Sequence, residues 1–102
     1  MNRVEVWVLA EAVQDLENGA EYYEARQPGV GDDFWDSLLA DIGTLEFSSG
    51  VHTRQLGCHR KIATRFPYAI FYRTQTGRAE VIAVLPMRRD PKWIGRQLRS
   101  RR

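Results

Sequence analysis

Apolar and polar positions alternate at two different periods along the chain, and the changes of period mark its elements. Val4, Val6 and Val8 alternate with Glu5 and Trp7, the period of two that lays one face of a short strand on a core. From Leu9 the spacing becomes helical. Leu9, Val13, Leu16, Ala20 and Tyr23 form one apolar stripe, and Glu11, Asp15, Glu17, Glu21 and Glu24 fill the other faces. This helix is predicted to end near Gln27-Pro28-Gly29, because proline disfavours helical geometry in the residue before it and glycine permits the reversal. Asp32 and Asp33 then open a second helix, where a carboxylate is favourable against the helix dipole. Its stripe is Phe34, Leu38, Ile42 and Leu45, widened by Trp35 and Leu39. The two helices make a hairpin closed by Ser48-Ser49-Gly50, and a loop is expected from there to about Gly57.

From His59 the pattern is that of strands. Lys61-Ile62-Ala63-Thr64 is a candidate, Pro67 punctuates, and Tyr68 to Arg73 is rich in aromatic and branched residues. Thr74-Gln75-Thr76-Gly77 supplies a turn into Ala79 to Leu85, whose nearly continuous apolar run predicts a strand covered on both faces and ended by Pro86. Strands joined by short links pair antiparallel. Beyond Arg88, Trp93, Ile94 and Leu98 give a short terminal helix or arm one apolar edge. The expected class is α+β: an N-terminal strand and a helical hairpin packed on a mainly antiparallel four-stranded sheet, in the order β-α-α-β-β-β, within one domain over residues 1–102. Helices on one face leave the other to solvent, to the terminal segment or to a partner.

Charge sharpens this picture. Residues 1–50 hold 2 basic residues, Arg3 and Arg26, against 11 acidic ones; residues 51–102 hold 13 against 2, Glu80 and Asp90. The net charge of +2 conceals a half at −9 and a half at +11. A strongly positive surface on the strand half suits phosphates or an acidic protein. Salt bridges to the acidic helices absorb part of it, but not the tail, where Arg88, Arg89, Lys92, Arg96, Arg99, Arg101 and Arg102 lie close together. The single cysteine, Cys58, excludes an internal disulfide framework and reads as a small half-buried residue; with only His52 and His59 nearby it makes a poor metal site, and no metal or cofactor is expected. The N-terminus lacks the charged-then-apolar run of a secretory leader, and no apolar stretch approaches the ~20 residues of a membrane span. A soluble cytoplasmic protein with no membrane partner is expected.

Ala20-Glu21-Tyr22-Tyr23-Glu24, Pro28-Gly29-Val30-Gly31, Arg65-Phe66-Pro67-Tyr68-Ala69-Ile70-Phe71-Tyr72-Arg73, Val81-Ile82-Ala83-Val84-Leu85 and Arg88-Arg89-Asp90-Pro91 with Trp93 together resemble the RelE/ParE superfamily of toxins from type II toxin–antitoxin modules, ParE more closely than RelE. The resemblance runs nearly the length of the chain. It implies a small basic toxin that arrests growth and is neutralised by a cognate, ParD-like antitoxin; operator DNA is contacted only through that antitoxin. ParE-like members poison DNA gyrase, whereas RelE-like members cut messenger RNA on the ribosome. The shared fold alone does not choose between them.

Chemistry bears on the choice. Metal-free RNA cleavage needs a base for the 2′-hydroxyl proton, cations for the charged phosphorane and an acid for the leaving oxygen. A nuclease site here would draw on Arg60, Lys61, Arg65, Arg88, Arg89 and His59. The resemblance would place a His or Tyr after the last strand, yet neither occurs after Tyr72, which favours a poison that acts by binding. Tyr68 and Tyr72 share one parity and read as core or sheet-surface residues, and His59 reads as a solvated loop residue. The candidate target-binding residues are Arg73, Arg88, Arg89, Lys92, Trp93 and Arg96, with Arg88 and Arg89 foremost because Pro86 and Pro91 fix the chain around them. Tyr22, Trp35 and Leu39, off the two stripes, and Arg65 are the antitoxin-binding candidates. A third reading is a chain that has lost toxicity and serves only as antitoxin partner or corepressor.

Overall fold

The structure is a computed structural model describing residues 3–101, so Arg102 of the basic tail lies outside the described residues. Its elements are β1 (Glu5–Val8), α1 (Ala10–Arg26), α2 (Val30–Gly43), α3 (Leu45–Ser48), β2 (Arg54–Gln55), β3 (Cys58–Ile62), β4 (Tyr68–Gln75), β5 (Arg78–Pro86) and α4 (Pro91–Ser100). The five strands form one sheet in the order β1-β5-β4-β3-β2, with β1 parallel to β5 and the other pairs antiparallel. The α+β class holds, with one more strand than expected. The extra one, Arg54–Gln55, falls in a stretch with no hydrophobic alternation and is fully exposed, so pairing with β3 alone defines it.

Glycine geometry sets the hairpin. Gly29 takes a left-handed φ of 91° just before α2, and the Glu24 carboxylate accepts hydrogen bonds from the Gly29 and Gly31 amides at 3.0–3.1 Å. Gly19 lets α1 meet α2 closely: a Cβ there would stand 2.4 Å from the Phe34 ring. Phe34 is fully buried, and such burial contributes about 1.5–3 kcal/mol. It packs with Tyr23, Phe66 and Tyr68, ring centres 4.8–5.4 Å away. Asp32 and Asp33 lie in the first turn of α2 as the dipole argument requires.

Two apolar clusters sandwich the sheet. The helical hairpin covers the first, which includes Leu16, Phe34, Leu38, Ile70, Tyr72 and Val81; α4 covers the second, around Phe71, Ile82, Leu85 and Leu98. The face left over by the hairpin is therefore finished by the chain's own terminal segment. α4 starts cleanly, with Pro91 in its first turn and the Asp90 carboxylate accepting from the Lys92 amide at 2.8 Å.

A bulge in β5 departs from simple alternation. Phe71 pairs with Ala83 and Tyr72 with Val81, leaving Ile82 without a partner. Ile82 and Ala83 consequently both face α4, while Val81 and Val84 both face the hairpin. The pairing of β1 with β5 also stops at Val8 and Val81, so the outer edge of β5 beyond this point needs other partners. Side chains supply them. Asp15 of α1 accepts from the Val84 amide at 2.9 Å, and Arg101 donates to the Ile82 carbonyl at 3.2 Å while also binding Asp15 through both terminal nitrogens.

Candidate functional site

Arg88 and Arg89 occupy the tight turn between β5 and α4, where the Arg89 amide bonds back to the Pro86 carbonyl and the Met87 amide to that of Pro67. This turn forms the mouth of a cleft of about 360 Å³ walled by α1, the end of β5 and α4. Asn18, Gly19 and Tyr22 come from α1, Tyr68 from the start of β4, and Trp93 and Gln97 from α4; Asp15 and Arg101 also line it. The two arginines are exposed, and among the described residues neither has a carboxylate within ion-pair distance. Ring faces position them instead. The Arg88 guanidinium lies 4.9 Å from the centre of Tyr22, and that of Arg89 lies 3.7 Å from the centre of Trp93.

Tyr68 adds a hydroxyl to this cluster. Its side chain is buried, and burial together with the neighbouring Tyr23 pushes the phenol up to about 12 against the opposing pull of Arg88. It stays protonated at neutral pH, available to donate a hydrogen bond and not to act as a base. Asp15, the carboxylate of the cleft, is committed to Arg101 and the Val84 amide. Two guanidiniums without an ion-pair partner among the described residues, a protonated phenol and a neutralised ion pair equip the cleft to hold an anion.

The structure brings only part of the expected site together. Arg88, Arg89 and Trp93 converge, and Arg60 lies beside them, one guanidinium nitrogen 3.5 Å from the Met87 sulfur. Lys92 and Arg96 are exposed on α4, next to this turn in sequence. Arg73, expected among the target-binding cations, is instead bound to Glu80 at 2.6 Å, and Arg78 shares the same carboxylate at 2.7 Å. These bonds, Arg73 foremost, hold the Glu80 carboxyl below its usual range. Arg101 is likewise consumed by Asp15, so the basic half does not present all of its cations.

His59 corrects another expectation. It is 7% exposed rather than solvated, its ring stacked on Tyr72 with centres 5.1 Å apart. Its Nδ1 sits 2.8 Å from the His52 carbonyl, so that nitrogen carries the proton and donates. Tyr72 accepts from the Gly50 amide and faces His52 Nδ1, a buried arrangement that ties the 50–57 segment to the sheet. Burial, with Lys61 and His59 nearby, holds His52 below its ordinary value. Lys61 is half-buried on β3, and Arg65 is exposed, 5.5 Å from the Phe66 ring. Among the described residues His59 makes no hydrogen bond or ion pair to Arg60, Lys61, Arg65, Arg88 or Arg89.

The antitoxin-binding candidates separate as well. Tyr22 belongs to the cleft, between Arg88 and Arg26, whose guanidinium lies 3.6 Å from its ring centre. Trp35 packs against the main core, and Leu39 is exposed on the same helix. Sequence reasoning missed Asp15, Asn18, Tyr68 and Gln97 as lining of one cleft. Their positions along the chain carry no shared signal; only the aromatic richness of residues 66–72 hinted at Tyr68.

No protein-family model matches the chain, and no curated protein matches it. Among solved structures, a chain described as "Chromosomal ParDE TA system from P. aeruginosa" superposes with a TM-score of 0.75 at 11% sequence identity, over 82% of this chain and 96% of that one. At this identity the likeness is one of fold, and it is the fold that the sequence resemblance implies.

Proposed function

We propose that this chain is the toxin of a type II toxin–antitoxin module, of the ParE kind, which arrests growth by binding and poisoning DNA gyrase and is neutralised by a cognate ParD-like antitoxin. The observation that carries the reading is the fold held in common with a chain from a ParDE system over nearly the whole of that chain. The exposed, carboxylate-free pair Arg88 and Arg89 is the surface assigned to the target, with Lys92, Trp93 and Arg96 beside it. The acidic, amphipathic tail expected of an antitoxin would be drawn to the cations of the sheet half, with association that slows as salt rises.

Binding without turnover suits this chain better than RNA cleavage. Tyr68, its phenol pushed up to about 12 by burial, is too weak an acid to be deprotonated near neutrality and so does not supply the base, and His59 is buried against Tyr72 with one nitrogen already donating. The test pairs two assays on the purified free protein: supercoiling by gyrase, and cleavage of ribosome-loaded message. Inhibited supercoiling with intact message is expected. Cuts inside translated codons would overturn the gyrase reading in favour of the ribosome, and inactivity in both would leave the chain an antitoxin partner or corepressor.

A further inference from the structure

We propose that the cleft between α1, the end of β5 and α4 is a binding site for a phosphomonoester dianion, the terminal phosphate of a nucleotide or of a phosphorylated nucleic-acid end. The arginine geometry comes first. Ring contacts hold the Arg88 and Arg89 guanidinium carbons 4.9 Å from the centre of Tyr22 and 3.7 Å from that of Trp93, and among the described residues no carboxylate lies within ion-pair distance of either. The edge of a guanidinium is what grips phosphate oxygens two at a time.

Tyr68 provides a second, independent indication. Its ring is buried, 5% exposed over the whole residue, and it lines the cleft; among the described residues its hydroxyl makes no hydrogen bond, and it is not one of the fully buried polar atoms left without a partner. A phenol hydroxyl that reaches a cleft without an internal partner is a donor that a ligand oxygen can take up.

Charge selects the kind of phosphate. Asp15 and Arg101 neutralise each other at the back, so the lining as a whole carries two positive charges, those of Arg88 and Arg89. A phosphomonoester carries about −1.5 to −2 at pH 7, whereas a backbone diester or a carboxylate carries roughly half as much. The volume, about 360 Å³, is at the small-ligand end of the roughly 300–1,000 Å³ typical of such pockets. Beyond the phosphate it leaves room bordered by the side-chain amides of Asn18 and Gln97, suited to hydroxyls or ring nitrogens. This inference concerns the cleft alone and stands whether or not gyrase is the target.

Titration calorimetry on the full chain tests it, with inorganic phosphate, adenosine 5′-monophosphate, adenosine, and a single-stranded DNA tetramer with and without a 5′-phosphate as probes. Adenosine 5′-monophosphate is expected to bind and adenosine not to. A tetramer that needs its 5′-phosphate marks nucleic-acid ends as a source, and equal weakness of the two tetramers marks the free nucleotide. Tyr68→Phe, which keeps the ring, should weaken nucleotide binding by about tenfold, and Arg88→Lys, which keeps the charge but not the fork, by a similar factor. Arg54→Ala, on the far edge strand β2, should change it by less than about twofold. Affinity should fall below about pH 6 as the dianion takes up a proton. Equal binding of adenosine and its monophosphate, no binding of any phosphate probe at millimolar concentration, or an Arg54→Ala effect as large as that of Arg88→Lys would overturn the proposal. Supercoiling measured on the same samples separates the two readings: intact nucleotide binding without gyrase inhibition removes the gyrase target alone.

Discussion

Replacing Asp15 by alanine tests whether a side-chain ion pair completes the sheet. Asp15 accepts three hydrogen bonds, one from the Val84 amide at 2.9 Å and two from Arg101. Both side chains are about nine-tenths buried, at 10% and 9% exposure. The alanine leaves a guanidinium in a largely dry setting with Glu11 at 3.8 Å as its remaining carboxylate, and it strips the Val84 amide of its acceptor at the edge of β5. Breaking a buried pair from one side costs about 3–5 kcal/mol, because the surviving charge keeps its desolvation penalty and loses its compensation. Set against the roughly 5–15 kcal/mol that holds a domain of this size, the loss is large. It corresponds to a drop of at least about 12 °C in Tm, taking the lower figure and roughly 4 °C per kcal/mol. Urea unfolding followed by far-UV circular dichroism provides the check, with Arg101→Ala and the double variant closing a cycle. The two single changes should overlap strongly, since each breaks the same contact. A loss below about 1 kcal/mol for Asp15→Ala, or strictly additive effects, would refute the account of how the β5 edge is satisfied.

Three further outcomes are expected. Gly19→Ala puts a Cβ 2.4 Å from the Phe34 ring and should cost about 1–3 kcal/mol by overpacking, read as a lower urea midpoint at unchanged m-value; an unchanged midpoint would mean that α1 and α2 separate freely. His52 is held below its ordinary value by burial, so the folded chain favours the neutral ring; stability should be intact above about pH 6.5 and decline as pH falls below it, and His52→Gln should remove that decline. On the toxin function proposed above, Arg88→Ala combined with Arg89→Ala should relieve growth arrest while leaving Tm within about 2 °C, since both side chains are exposed and carry no ion pair among the described residues; undiminished arrest with that double change would take them out of the proposed target surface.

The helical hairpin could be read from residue order because its information is local. The stripe through Leu16 and Tyr23, the break at Pro28-Gly29 and the acidic start of α2 each act within a few residues, and α1 ends and α2 begins where those signals fall, although α2 stops at Gly43 and Leu45–Ser48 forms a separate short helix before the expected close at Ser48-Ser49-Gly50. The near-continuous apolar run of β5 likewise announced burial on both faces, which α1 and α4 provide. The bulge at Ile82 was invisible, since an all-apolar strand has no alternation to interrupt. The same limit hid β2, whose polar residues are held only by their pairing with β3.

For the candidate site the division follows the range of the forces. Local chain stiffness at Pro86 and Pro91, and the excess of cations after residue 50, were enough to single out Arg88 and Arg89. Which of the thirteen cations remain available was decided by contacts distant in sequence: Glu80 takes Arg73 and Arg78, and Asp15 takes Arg101 across 86 positions. A cleft whose walls come from residues 15–22, 68, 84–89 and 93–101 exists only after the sheet has been wrapped on both faces. Formal charge is a property of each residue, whereas exposed charge depends on which carboxylate the fold places beside it, and that placement is tertiary.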